Sequence, residues 1–325
     1  MEERVSKRLG RALSVVGLGT WQIGASWGDV DEDAARSLLE VAAEQGVTFF
    51  DTADVYGDGR SERFCAELLA RHPDVTVATK MGRRVEQLLE NYSAENFLAW
   101  NDSSRSNLGV DQIDLVQLHC PPEEVIASDA VFDALDGMVA EGRIRAYGVS
   151  VESCQEALAA IERPHVASVQ IILNCFRLKP LEQVLPAARA AGVAIIARVP
   201  LASGMLSGRF DETTVFAVDD HRNFNRQGEA FDIGETFSGV PYDVGLAAVR
   251  ELAELVDPGV PLARFALRWV IDQPGVTTVI PGARNAEQVA QNAAAAALAP
   301  LREEQLDGVR DVYDRLIRSH VHDRW

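Results

Sequence analysis

Eight short apolar, β-branched runs alternate with longer stretches of helical period, and this alternation constrains the fold of the chain more than any other feature. The runs are Ser14–Gly19, Thr48–Asp51, Thr76–Thr79, Leu115–His119, Ala146–Ser150, Ser168–Ile172, Ala194–Val199 and Thr277–Pro281. Helical stretches lie between them at Asp31–Gln45, Ser61–Arg71, Ala94–Leu108, Ala130–Glu141, Ser153–Ile161, Leu181–Ala191 and Leu262–Asp272. Parallel neighbours need a crossover helix, so strands alternating with helices predict βαβ units. Eight such units in 325 residues predict one α/β domain, a (β/α)8 TIM barrel spanning residues 1–325.

Glycines punctuate the repeat. Gly46, Gly109, Gly142 and Gly192 follow helical stretches, where a left-handed C-terminal residue is favoured. In the first helix Ala34, Leu38, Val41 and Ala42 are expected on one face. Three segments fall outside the count: Val5–Leu13 as an N-terminal cap on the barrel bottom, Glu303–Arg318 as a C-terminal helix, and Arg209–Val240. The last, after strand 7, is too long for idle irregular chain in a compact domain and reads as a functional loop near the mouth.

Composition excludes some classes of function. Apolar residues are 47% and charged residues 25% of the chain, enough for a sizeable core. A net charge of -18 repels polyanions, so nucleic acid is not an expected partner. Cys65, Cys120, Cys154 and Cys175 lack metal-site spacing, so no metal is expected and reduced thiols suit a cytoplasmic protein. No apolar run approaches 18 residues, and Ala293–Ala299 is a surface-helix segment, so no membrane association is expected. No heptad pattern points to an oligomeric state.

Barrels of this kind place chemistry at the C-terminal strand ends. There strand 2 delivers Asp51, with Tyr56 five residues on, strand 3 delivers Lys80, and strand 4 delivers His119. Taken singly, Asp51 or Asp54 has an alternative reading as a cap on the following helix, while Lys80 reads as a solvated lysine and His119 as a hydrogen-bonded residue under a proline turn. Together they suit carbonyl reduction: an ammonium beside a tyrosine is expected to lower its pKa and ease proton donation to an alkoxide. Asp51 would hold Lys80, and His119 would orient a carbonyl or share the proton load.

The segments Phe50-Asp-Thr-Ala-Asp-Val-Tyr-Gly57 and Asp114-Leu-Val-Gln-Leu-His119 resemble the signatures of the aldo-keto reductase superfamily, including its bacterial members and potassium-channel β-subunit-like branch. The resemblance runs from about Leu9 to Asn292. It implies an NADPH-dependent reductase of aldehydes or ketones in which Tyr56 is the general acid, Lys80 and Asp51 tune it, and His119 orients the substrate. Gly17-x-Gly19 is no dinucleotide fingerprint, since Gln22 stands where a third glycine belongs. By resemblance Gly19, Thr20 and Trp21 instead floor the pocket, whose substrate side would be lined by Trp21, Trp27, Tyr56, His119 and Cys120.

The resemblance also implies the cofactor residues. Ser150 and Gln170 would bind the nicotinamide carboxamide, and Pro200, Leu201, Ser203, Gly204 and Arg209 the pyrophosphate. Arg198 stands where the family commonly stacks an aromatic ring on the nicotinamide, and Val151 stands where it commonly has Asn or Arg. Arg222 would clasp the cofactor, while Gly282, Arg284, Gln288 and Asn292 would form its adenosine end. Arg284 suits a 2′-phosphate and so favours NADPH, with NADH as the second possibility. Two alternatives remain open on these residues: a Schiff-base aldolase or lyase using Lys80, and a slow-turnover protein that senses NADPH.

Overall fold

The computed structural model describes residues 1–24 and 31–325, so the expectation for Trp27 lies outside the described residues. A hairpin opens the chain, β1 (Glu3–Val5) pairing antiparallel with β2 (Ala12–Ser14). Eight parallel strands follow: β3 (Leu18–Gly19), β4 (Phe49–Asp51), β5 (Thr76–Met81), β6 (Ile113–His119), β7 (Ile144–Ser150), β8 (Val166–Ile172), β9 (Ala194–Arg198) and β10 (Val276–Val279). Each pairs with its neighbour in chain order. Bridges Val16–Val279 and Gly19–Gly282 bring the first strand back to the last, with the Gly17 N–H donating to the Val279 carbonyl at 2.8 Å.

Helices fill the connections: α1 (Glu32–Glu44), α2 (Arg60–Arg71), α3 (Ala94–Leu108), α4 (Asp129–Ala140), α5 (Cys154–Glu162), α6 (Val184–Ala191), α7 (Tyr242–Glu254), α8 (Leu262–Ile271) and α9 (Ala286–Ala293). The final helix α10 (Glu303–Val312) continues through a π-turn at Tyr313–Ile317 into a last helical turn at Arg318–Val321, so the helix expected over Glu303–Arg318 is present and runs past that end. Gly46, Gly109, Gly142 and Gly192 all have positive φ, between 65° and 82°. In α1 the buried face is Ala35, Leu38, Leu39 and Ala42, with Val41 packed half-buried beside it, so of the expected face only Ala34 is exposed. Helix α7 is an addition to the expected set; its apolar residues Leu246, Val249 and Leu252 keep helical spacing, and it follows the long loop directly.

Strand alternation sorts the barrel interior into an apolar base and a polar top. Phe49, Ala78, Leu115, Ala146 and Ile196 point into one buried cluster, closed from below by Leu9 and Leu13 of the hairpin segment. Leu13 is fully buried, a contribution of about 1.5–3 kcal/mol. Two residues further along the same strands stand Asp51, Lys80, Gln117 and Arg198, all buried. The hydrophobic base thus fixes the height at which charged side chains enter the mouth.

Candidate active site

Asp51 is the hub of the polar layer. Its Oδ2 accepts from Lys80 Nζ at 2.5 Å, and its Oδ1 accepts from Gln117 Nε2 at 3.0 Å and Gln170 Nε2 at 2.8 Å. Lys80 Nζ also donates to the Thr52 carbonyl at 3.0 Å and the Tyr56 hydroxyl at 3.5 Å. Both side chains of the ion pair are nearly inaccessible, 1% for Lys80 and 4% for Asp51. The His119 ring meets Tyr56 edge to face, 6.0 Å between centroids. Asp51, Tyr56, Lys80 and His119 are therefore one contact group, as their strand-end positions implied.

Tyr56 is presented by a tight turn. Gly57, Asp58 and Gly59 all lie in the left-handed region, and a side chain on Gly57 would collide with the Gly24 carbonyl oxygen at 2.0 Å. Arg84 grips the turn on both sides of Tyr56, donating to the Asp54 carbonyl at 2.6 Å, the Asp54 carboxylate at 3.2 Å and Asp58 Oδ1 at 2.7 Å. Burial pushes the Asp54 carboxyl up to about 7, with Arg84 opposing it.

The electrostatics correct one expectation. Burial raises the Tyr56 pKa above its ordinary value; Lys80 acts in the lowering direction but is outweighed, and Asp51 cancels part of its field. Lys80 keeps its proton: burial works against the ammonium, but Asp51 and Tyr56 move its pKa upward. His119 is held well below the usual imidazole range by burial and by Arg83, Lys80 and Arg198, so it is neutral, and sharing the proton load as an imidazolium is disfavoured. Its Nδ1 is buried without a hydrogen-bond partner.

Above this layer opens a cavity of about 600 Å³. Asp51, Tyr56, His119 and Cys120 line one end, with Trp21, Ser150 and Gln170 around them. Arg198, Pro200, Leu201, Ser203, Gly204, Arg209 and Arg222 line its flank, and Gly282, Arg284, Gln288 and Asn292 its far end. Gly19 and Thr20 complete the floor. All of the expected cofactor residues share this one cavity, while Lys80 lies behind Tyr56 and does not line it.

Residues 15–314 match the family model described as the aldo/keto reductase family. The chain belongs to that family. It is 30% identical over 290 residues to the aldo-keto reductase YhdN of Bacillus subtilis, covering 86% of this chain and 84% of that one. It is also 27% identical to a probable voltage-gated potassium channel β subunit of Arabidopsis thaliana, covering 91% of this chain and 92% of the other. Among solved structures it matches the holo form of an aldo-keto reductase from Bacillus halodurans, with a TM-score of 0.78 at 26% identity and 96% of both chains covered. As a member of the aldo/keto reductase family it is a nicotinamide-dependent oxidoreductase.

Within this aldo/keto reductase fold several polar groups have other partners than expected. Thr20 Oγ1 bonds the Asp51 carbonyl at 3.0 Å and lies 2.7 Å from Ser61 Oγ. The Ser203 hydroxyl donates to the Glu235 carbonyl at 2.8 Å and accepts from the Phe237 N–H at 3.1 Å, so it ties down the long loop. Arg222 folds onto its own loop, pairing bidentately with Asp220 and lying 4.6 Å from the Phe216 ring. Arg284 is half exposed at the start of α9, 3.6 Å from Asp220. Val151 is buried and offers the cavity no polar side chain.

Arg198 is buried rather than laid out as a stacking surface. It donates to Glu235 at 2.5 Å, to Glu152 at 2.7 Å and to the Val151 carbonyl at 3.0 Å. The Glu152 and Glu235 carboxylates and the Cys120 thiol lie within 4.8 Å of one another, and Arg198 is the cation that joins the two acids. Sequence reasoning missed both glutamates, as well as Gln117, Gln22 and His221. Gln22 packs so closely over Gly282 that a Cβ there would lie 2.1 Å from its amide, and its buried Oε1 has no partner. Gln117 was legible, since it stands two residues before His119 and so faces inward. Glu235 and His221 lie in irregular chain that has no period to read.

Proposed function

We propose that this protein is an NADPH-dependent reductase of small aldehydes or ketones, with Tyr56 as the proton donor. The observation that carries the reading is the Tyr56 hydroxyl 3.5 Å from a lysine ammonium that is itself bonded to Asp51, at the floor of a cavity also lined by His119. The cavity's other end suits a dinucleotide: Ser203 and Gly204 are left-handed, so the loop can turn backbone N–H groups toward an anion, and Gly282 leaves room only for the Gln22 amide. Arg284 at the start of α9 supplies positive charge where a phosphate is favoured.

When bound, the reduced nicotinamide supplies a hydride to the carbonyl carbon. The residues of this chain do the remainder. Tyr56 stays protonated through neutral pH, because burial holds its pKa up, and gives that proton to the carbonyl oxygen as the C=O electron pair moves onto it. Lys80 then faces the phenolate left behind, and Asp51 keeps the ammonium in place. Neutral His119 orients the carbonyl.

A Schiff base on Lys80 is disfavoured on this geometry, since a nucleophilic amine must lose the proton that Asp51 retains. The test is NADPH oxidation across a carbonyl panel, with borohydride trapping alongside. Turnover that survives in Tyr56→Phe, or trapping of substrate on Lys80, overturns the reading.

A further inference from the structure

Ser203 lines the cavity, and its hydroxyl is held by two backbone groups of the long loop, the Glu235 carbonyl and the Phe237 N–H. Trp325, 8% exposed, packs against that same stretch of loop without lining the cavity. Its indole Nε1 donates to both oxygens of the Asp232 carboxylate, at 3.0 and 3.2 Å. Its ring fills the space left by two glycines: a Cβ on Gly239 would lie 2.4 Å from the ring, and one on Gly234 3.1 Å from it.

The backbone between these contacts is strained. Phe237, Ser238 and Gly239 are left-handed in succession, with φ of 51°, 61° and 77°, and two of the three carry side chains. Such conformations persist only where the surroundings dictate them. Here Ser203 holds the Phe237 N–H, Asn174 holds Ser238 Oγ at 2.8 Å, and the Trp325 ring backs Gly239.

Arg177 shows what the ring keeps apart. Its buried guanidinium lies 3.8 Å over the Trp325 ring, and its Nη1 has no hydrogen-bond partner among the described residues. Burial, helped by Arg198, lowers its pKa to about 10. Asp232 Oδ1 and Arg177 Nη1 both come within 3 Å of the point where a Cβ of Gly234 would sit, at 2.7 and 2.8 Å. The carboxylate is nevertheless turned to the indole and to the Gly234 N–H at 2.7 Å, so the cation is met by an aromatic face instead of by its nearby acid.

We propose that Trp325 is a positioning residue for the cofactor: wedged between Arg177 and residues 232–239, it keeps the loop in the strained form that fixes Ser203. Ser203 and Gly204 are the left-handed turn read above as facing the pyrophosphate, and the proposal rests on that reading. Without the ring, Asp232 can turn to Arg177, and the ion pair so formed draws the loop out of register with Ser203.

The experiment titrates NADPH by fluorescence, with no carbonyl present, into wild type, Trp325→Ala, Trp325→Phe, Ser203→Ala and the Trp325→Ala/Ser203→Ala double variant. Amide exchange is followed in the cofactor-free proteins. Trp325→Ala raises the NADPH Kd about tenfold, the change produced when the binding form of the loop falls to about one-tenth of the population. Amides of residues 199–208 and 232–239 then exchange faster, while those of β5 and β6, which carry Lys80 and His119, keep wild-type rates. Trp325→Phe keeps a ring over Arg177 and recovers most of the affinity. Ser203→Ala breaks the same link at its cavity end, so the double variant binds NADPH about as well as Trp325→Ala alone.

An unchanged Kd in Trp325→Ala overturns the proposal and leaves carbonyl reduction standing. Fully additive losses in the double variant do the same, as does a phenylalanine variant as weak as the alanine one. Exchange that accelerates equally in β5 and β6 makes Trp325 a prop of the whole barrel and also overturns it. Absence of NADPH binding in wild type removes the proposal and the proposed function together.

Discussion

Two buried ion pairs share the barrel mouth and are built differently. Asp51 and Lys80 come from adjacent strands, and the Asp51 carboxylate receives its further bonds from Gln117 and Gln170, also on strands. Arg198 starts from a strand, but its acids come from connections: Glu152 just beyond β7, and Glu235 in the long loop. The strand-built pair is fixed in height and register by the barrel itself, as suits a proton donor's support. The loop-built pair depends on secondary anchors such as Ser203 to Glu235 and Asn174 to Ser238 at 2.8 Å each, and Trp325 to Asp232 at 3.0 Å. The proposed proton donor sits on the rigid side, and the adjustable side lines the same cavity through Arg198 and Glu235.

The sharpest way to break this division is to remove the proton donor while leaving the salt bridges of both pairs in place. Tyr56→Phe is expected to lower kcat for carbonyl reduction by about 10²–10⁴-fold while NADPH titration stays within about twofold of wild type. Comparable losses in turnover and in cofactor binding would mean that Tyr56 holds the mouth together instead.

Asp51→Asn tests the strand-built pair directly. Removing one partner leaves the Lys80 ammonium buried without its counter-charge, which costs about 3–5 kcal/mol of stability. Chemical denaturation reads this as a lower midpoint. A loss below about 1 kcal/mol would show that solvent reaches Lys80 and that the pair is not the rigid hub described above.

Lowering pH should separate the two regions. His221 lies in the long loop, and burial drops its pKa from 6.5 to about 4. The unfolded chain therefore takes up this proton first, and the His221 contribution to stability falls as pH falls from about 6.5 to about 4, by up to about 3 kcal/mol. Asp54 beside Tyr56, raised to about 7, works in the opposite direction and adds stability as pH falls from about 7 toward 3.8. Asp220, depressed to about 2 despite burial by its bonds to Arg222, adds stability above its unfolded value of 3.8 that disappears only below it. Lys80, with its raised pKa, contributes nothing to this window. The unfolding free energy of His221→Gln should rise relative to wild type as pH falls from 6.5 to 4; a constant difference between the two would place the titration elsewhere.

The same contrast explains what could be read in the sequence. Strand ends are legible because a two-residue period and a barrel topology fix where a side chain points, and so Asp51, Lys80 and His119 converge as expected. The first strand was drawn too long: only Leu18–Gly19 pair with β4, and the residues before them turn toward β10. Glu152, Glu235 and His221 escaped because loop conformation follows from tertiary anchors, not from local pattern. The lowering of the Tyr56 pKa failed for a related reason: counting charges along the chain takes no account of the desolvation that burial imposes.

The smallest expected effect falls at the far end of the cavity, where loop and strand meet on Arg284. Its side chain is 56% exposed and its guanidinium lies 3.6 Å from Asp220, so water and a competing carboxylate both weaken what it can offer an anion. Arg284→Ala should therefore reduce NADPH affinity by about 1–3 kcal/mol, toward the lower figure, and NADH affinity hardly at all. Asp220 sharpens the case: removing its charge in Asp220→Asn frees Arg284 and widens the preference for NADPH, provided that Arg222 keeps the loop seated through its contact with Phe216. Equal losses for both cofactors in Arg284→Ala would move the 2′-phosphate contact to another cation of the cavity, with Arg264 on α8 and Arg209 on the loop as the next residues to replace.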